Sequence, residues 1–119
     1  MSYPIKLAIV GSRTFNDYNL LELTVKANYD VPNISQIISG GACGADKLAE
    51  HFAKNNNIET TIYKPDWNKY GKRAGYMRNV DIINAADHVL AFWDGNSKGT
   101  KHDIDIAIKY NKPLIIKMF

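Results

Sequence analysis

One cysteine, Cys43, is all that the chain carries. A single thiol excludes an internal disulfide and any zinc site built on several cysteines, and it fits a reducing compartment. Histidine is scarce too, and His51, His88 and His102 lack ligand spacing for zinc, so neither a metal nor any other cofactor is expected. The net charge is only +3, which suits anionic small molecules as readily as nucleic acid but is small for strong tracking of a phosphate backbone. No apolar run approaches the ~20 residues that span a bilayer. The opening Met1-Ser2-Tyr3-Pro4 lacks the charged and apolar regions of a signal peptide, so a cytoplasmic protein without a membrane partner is expected. What is present is ordinary: 119 residues, 45% hydrophobic and 23% charged, the composition of one globular domain spanning 1–119. A domain this short hides only about two-thirds of its unfolded surface, which makes pairing with copies of itself, as a dimer or larger homo-oligomer, an expected route to further burial.

Apolar runs and glycines alternate along the chain. Ile5 to Val10 is a short apolar run closed by Gly11, the pattern of a buried strand. Leu20, Leu21, Val25 and Tyr29 then recur at helical spacing until Pro32. Ile34, Ile37 and Ile38 run into Ser39-Gly40-Gly41 as a second strand, and Leu48, Ala49 and Phe52 mark one face of a second helix. Glu59 to Tyr63 is β-branched and aromatic, and Pro65 ends it before a polar, basic loop to about Arg73. Tyr76, Met77, Val80 and Ile83 suit a third helix, and Val89 to Trp93 a fourth strand followed by the loop Asp94 to Gly99. Thr100 is placed to cap a last helix bearing Ile104, Ala107 and Ile108, which Asn111 and Pro113 end before the strand Leu114 to Ile116.

Five strands separated by helices predict an α/β domain of Rossmann-like build, a parallel sheet in the order 3-2-1-4-5 with helices on both faces. In such sheets ligands sit at the carboxyl ends of the strands, beside the point where strand order reverses. The loops after strands one, two and four should therefore line the pocket. In Ser39-Gly40-Gly41-Ala42-Cys43-Gly44-Ala45-Asp46, glycines bring backbone N–H groups and a helix N-terminus within reach of a phosphate; packing in a tight turn is the alternative use. The loop Asp94-Gly95-Asn96-Ser97-Lys98-Gly99-Thr100 offers further N–H groups, two hydroxyls and the Lys98 charge, unless it is a solvated turn with a Thr100 cap.

Taken together, Gly11-Ser12-Arg13 with Phe15, the Ser39 to Asp46 loop with Leu48-Ala49, Trp67, Tyr70-Gly71, Gly75, Arg78-Asn79, and Phe92 to Thr100 resemble the SLOG superfamily. Its small stand-alone YspA-like branch is the most similar. The superfamily gathers the LOG-type nucleoside-monophosphate hydrolases, the DNA-processing protein DprA, and ligand-sensing domains of bacterial immunity systems. The resemblance implies a nucleotide-derived small-molecule ligand. It also keeps open two other readings, a phosphoribohydrolase and a DNA-binding module, because one fold serves all three.

Arg13, at the end of strand one, can grip a phosphate bidentately or pair with Asp17 or Asp94. By the resemblance, Arg78 stands where LOG-type enzymes carry an arginine, and Asp103 where they carry the catalytic glutamate of Gly-x-Gly-Thr-x-x-Glu. Here that stretch reads Ser97 to Asp103, one methylene short, and Trp93-Asp94-Gly95 replaces the preceding Pro-Gly-Gly. If the chain were a hydrolase, Arg78 and Asp103 would be its catalytic pair, but the shorter acid argues for a binder. Local alternatives are an Arg78–Asp81 pair and a Thr100–Asp103 capping box. Trp67, Tyr70 and Trp93 can stack on a base or sit in the core. Lys64, Lys69, Lys72, Arg73 and Arg78 against Asp66 describe either a solvated face or a nucleic-acid surface. The expected ligand contacts are Gly11, Ser12, Arg13, Ser39, Gly40, Gly41, Ala42, Gly44, Asp46, Arg78, Asn79, Trp93, Asp94, Gly95, Ser97, Lys98, Gly99 and Thr100.

Overall fold

Strand β1 (Ile5–Gly11) is the middle of a five-stranded parallel sheet, with β2 (Ile34–Ser39) and then β3 (Glu59–Ile62) on one side, and β4 (His88–Trp93) and then β5 (Leu114–Met118) on the other. The structure, a computed structural model, describes residues 4–119, so the reading of the first three residues lies outside it. The order β3-β2-β1-β4-β5 and the parallel pairing are those expected from the sequence. Among the described residues no helix is long and apolar enough to cross a membrane.

The apolar run of β1 has a simple physical cause. Successive side chains of a strand point to opposite faces, and both faces of this strand are covered. Leu7 and Ile9 join Leu21, Val25, Ile37, Phe52, Leu90 and Phe92 under helices α1 (Tyr18–Asn28) and α2 (Ala45–Asn55). Ala8 and Val10 join Ile38, Ile82, Ile83, Val89, Ala91, Ile104 and Ala107 on the other face. That face is covered by α4 (Ala74–Ala85) and α5 (Lys98–Lys109). The outer strand β3 is largely exposed.

Three local expectations also change. The basic segment after Pro65 is not a plain loop: Asp66 accepts a hydrogen bond from the Lys69 N–H at 3.0 Å and starts a one-turn helix, α3 (Trp67–Tyr70), continued by a 3₁₀ turn at 71–73. Helix α5 is capped by Ser97 rather than Thr100; the Ser97 side chain accepts from the Thr100 N–H at 3.4 Å. Ile108 does not face the core but is 62% exposed.

The loop after β1 is held rigidly at the sheet edge. Phe15 stacks on Phe92 with ring centroids 4.5 Å apart, the Ser12 N–H donates to the Phe92 carbonyl at 3.0 Å, and the Phe15 N–H donates to Ser12 O at 3.1 Å. Phe15 thus fixes where Ser12 and Arg13 sit. Phe15→Ala is expected to cost about 3–5 kcal/mol of stability, as other large-to-small core changes do. A thermal unfolding midpoint within a degree or so of the parent would show that the loop does not depend on this anchor.

Candidate functional site

At the carboxyl edge of β1, β2 and β4 a cavity of about 350 Å³ opens. Gly11 at the end of β1 and Ser12, Arg13 and Thr14 just after it enter the cavity, with Ala42 from the turn before α2, Asp46 from the first turn of α2, Asp94 and Ser97 from the turn before α5, and Gly99 and Thr100 from the first turn of α5. Arg78, Asn79 and Ile82 of α4 and Asp103 of α5 complete the wall. A second cavity, also of about 350 Å³, lies alongside and shares Arg13, Ala42 and Arg78 with the first. Gly40, Gly41, Lys64, Pro65 and Trp67 line its remainder.

Arg78 is held by backbone rather than by a carboxylate. Its Nη1 donates to the Gly40 carbonyl at 2.8 Å and its Nε to Asn79 Oδ1 at 3.1 Å. The Asn79 amide nitrogen in turn lies 3.2 Å from His102 Nδ1, a ring whose pKa burial lowers. A Cβ on residue 40 would stand 2.6 Å from Arg78 Nη1, so glycine there is what lets the guanidinium lie on the backbone. These bonds use two of the five N–H groups of the fork, and the rest are available to a ligand. Among the described residues neither Arg13 nor Arg78 forms an ion pair, so the alternative Arg13–Asp17, Arg13–Asp94 and Arg78–Asp81 pairs are not made.

Two buried carboxyl groups lie within electrostatic reach of Arg78. Asp46 Oδ2 accepts from the Ala42 N–H at 3.1 Å, yet burial pushes its pKa up to about 6 against the opposing pull of that bond and of Arg78. Asp103 is pushed further, to about 8, by burial first and then by the charge of Asp46, with Arg78 pulling the other way. Its Oδ1 is buried without a hydrogen-bond partner, so the Thr100–Asp103 capping box does not form. Near neutral pH Asp103 is therefore largely a protonated acid, able to donate as well as accept.

The helix ends supply donors. Gly44 caps α2 without a side chain, and the Ala45 N–H is tied back to Ser12 O at 3.4 Å. In the α5 turn, Asp94 Oδ1 already accepts from the N–H groups of Asn96 and Ser97, both at 2.8 Å, and these bonds hold its pKa below the usual carboxylate value. Those two donors are thus spent inside the loop. The N–H groups of Lys98 and Gly99, in the first turn of the helix, have no intrahelical acceptor.

Several expected contacts do not line either cavity. Ser39 is buried, and its hydroxyl bonds Asp46 O at 3.3 Å and the Gly41 N–H at 3.4 Å, which shapes the turn from beneath. A Cβ on residue 44 would stand 2.5 Å from the carbonyls of Ser12 and Arg13, so Gly44 serves the close packing of the two loops. Trp93 donates from Nε1 to Ser97 O at 3.0 Å and is partly buried against the core. Gly95 and Lys98 lie on the outside of the α5 turn. The lining residues not anticipated are Val10, Thr14, Ile82 and Pro65. Ile82 was legible, because it follows Arg78 by one helical turn and shares its face. Among the described residues no cluster of His, Cys, Asp and Glu is arranged to hold a metal.

A Rossmann-like domain with its cavity at the strand-order reversal is the architecture that places ligands on helix N-termini. Residues 5–70 match the YspA, cpYpsA-related SLOG family, and the chain belongs to that family. The Gene 61 protein of Mycobacterium phage D29 is 32% identical over 117 residues, covering 92% of this chain and 94% of that one. Among solved structures, DNA processing protein A from Helicobacter pylori, described as binding single-stranded DNA in a unique mode, superposes with a TM-score of 0.72 and 26% identity. DNA processing protein A (DprA) from Streptococcus pneumoniae gives 0.78 at 19% identity, a likeness of fold alone. Each covers 96% of this chain, but the chain spans only 65% and 50% of their lengths. The family match ends at Tyr70, so Arg78, Asp103 and the second glycine loop lie beyond it.

Proposed function

We propose that the chain binds a nucleotide or nucleotide-derived small molecule, as a sensor, a carrier or a sequestering sponge of a nucleotide immune signal. The observation that carries this reading is the pair Arg13 and Arg78, two permanent cations that form no ion pair among the described residues, over a cavity edged by two helix N-termini. Mass spectrometry of what the protein releases on denaturation after purification from cells tests the reading. A phosphorylated, ultraviolet-absorbing compound in near-stoichiometric amount is expected; repeated purification with none, joined to no response to added nucleotides, would overturn it.

The phosphoribohydrolase reading is weaker on chemical grounds. Glycosidic cleavage develops positive charge on the sugar, which an ionised carboxylate stabilises, whereas Asp103 holds its proton to about pH 8. The chain is expected to release no adenine from AMP over many turnovers. A DNA-binding reading draws on the Helicobacter pylori protein and on the basic segment around Trp67, but the net charge of +3 is small for it.

The turn before α2 gives a sharper test. Gly41 sits at φ +73°, and a Cβ there would stand 2.9 Å from Ile62 Cγ2. Gly41→Val is expected to fold with a stability loss of about 1–3 kcal/mol and to lower nucleotide affinity at least about 10-fold, because the turn must change shape. Unchanged affinity in a folded variant would show that this turn does not touch the ligand.

A further inference from the structure

The second cavity is as large as the first, and nothing in a mononucleotide site requires it. Each is near the lower limit for small-molecule sites, roughly 300–1,000 Å³, and together they reach the middle of that range. They meet over Arg13 and Arg78, so the permanent cations stand at the junction rather than at either far end. The outer lobe has a flat apolar surface of its own. Trp67 is 56% exposed, which is unusual for so large an apolar side chain, and α3 holds it through the Asp66 cap. Gly75 lies against it: a Cβ there would be 3.7 Å from Trp67 Cη2. Lys64, exposed and unpaired among the described residues, lines the same lobe. The inner lobe differs in chemistry, walled by Asp46, Asn79 and the protonated Asp103, groups suited to the polar edge of a base or the hydroxyls of a ribose.

We infer that the ligand is two-headed: two nucleoside-sized groups joined through a phosphate bridge, the bridge held by Arg13 and Arg78, one head in the inner lobe and the other stacked on Trp67 beside Lys64. This rests on the proposed nucleotide-binding function and narrows it to dinucleotide-like compounds. A bridge phosphate at the junction satisfies both guanidinium groups at once, and an outer base covers an indole that is otherwise left to water.

Calorimetry with AMP and with diadenosine diphosphate, on the parent and on Trp67→Ala, Trp67→Phe and Lys64→Ala, tests the inference. The two-headed compound is expected to bind at least about 10-fold more tightly than AMP, the scale of one base–aromatic stack. Trp67→Ala should erase that gain and leave AMP affinity within about 2-fold, while Trp67→Phe restores most of it. Lys64→Ala should weaken only the two-headed compound. Because Trp67 lies outside the core clusters, its loss does not threaten folding, and a circular dichroism melt checks this. If AMP binds but diadenosine diphosphate binds no better, or if Trp67→Ala weakens both alike, the inference fails and the nucleotide-binding function stands. If neither compound binds and a single-stranded oligonucleotide binds in a Trp67-dependent way, both fail and the outer lobe belongs to a DNA strand.

Discussion

Replacing Arg78 with methionine is expected to lower nucleotide affinity by about 30- to 150-fold, the worth of roughly 2–3 kcal/mol for charge-assisted hydrogen bonds to an anion. The side chain is half-buried, and methionine keeps most of its length and apolar contact. What it loses is the bond to Gly40 O, the bond to Asn79 Oδ1 and a cation that offsets both Asp46 and Asp103. Arg78→Lys should recover little of the loss. An ammonium is a point charge, and it lacks the planar fork that reaches Gly40, Asn79 and a phosphate together. A parent-like affinity in the methionine variant would remove Arg78 from the site.

The second large effect is on stability, and it depends on pH. Asp103 titrates near 3.8 when exposed but near 8 in the folded protein. Between those values the folded state holds a proton that the unfolded state has lost, so stability falls as pH rises through this window and flattens above about pH 8. Each unit of displacement is worth at most ~1.4 kcal/mol, so a total of a few kcal/mol is expected. Asp46 adds a smaller fall of the same sign that ends near pH 6. Asparagine resembles a protonated aspartic acid in shape and carries no charge. Asp103→Asn should therefore match the parent in thermal midpoint at about pH 3.5, below the exposed value, exceed it clearly at about pH 8, and change nucleotide affinity by only about 1 kcal/mol. Equal midpoints at both pH values would mean that Asp103 is not protonated in the fold.

The sheet order was legible because β1 is buried on both faces and so leaves an unbroken apolar run, Leu7 to Val10, closed by Gly11. Helix α3 was not, since a single turn capped by Asp66 has no apolar periodicity to detect. Ser97 and Thr100 are both good caps three residues apart, and the choice is made by Asp94, whose carboxylate folds the turn so that Ser97 stands at the helix start. Local spacing pairs Arg78 with Asp81, but the arginine reaches instead to Gly40, thirty-eight residues away in sequence. That contact, like the burial that keeps Asp103 protonated, is a product of tertiary packing and leaves no mark on neighbouring residues.

The central claim, a small-molecule nucleotide pocket rather than a DNA-tracking surface, is tested most directly by one calorimetric comparison. The protein is titrated with a panel of mono- and dinucleotides and with a single-stranded oligonucleotide, each at low and at raised salt. The account predicts saturable one-to-one binding of at least one nucleotide that survives raised salt and depends on Arg78, with weaker oligonucleotide binding that salt abolishes. Tight oligonucleotide binding with no response to any nucleotide would contradict it.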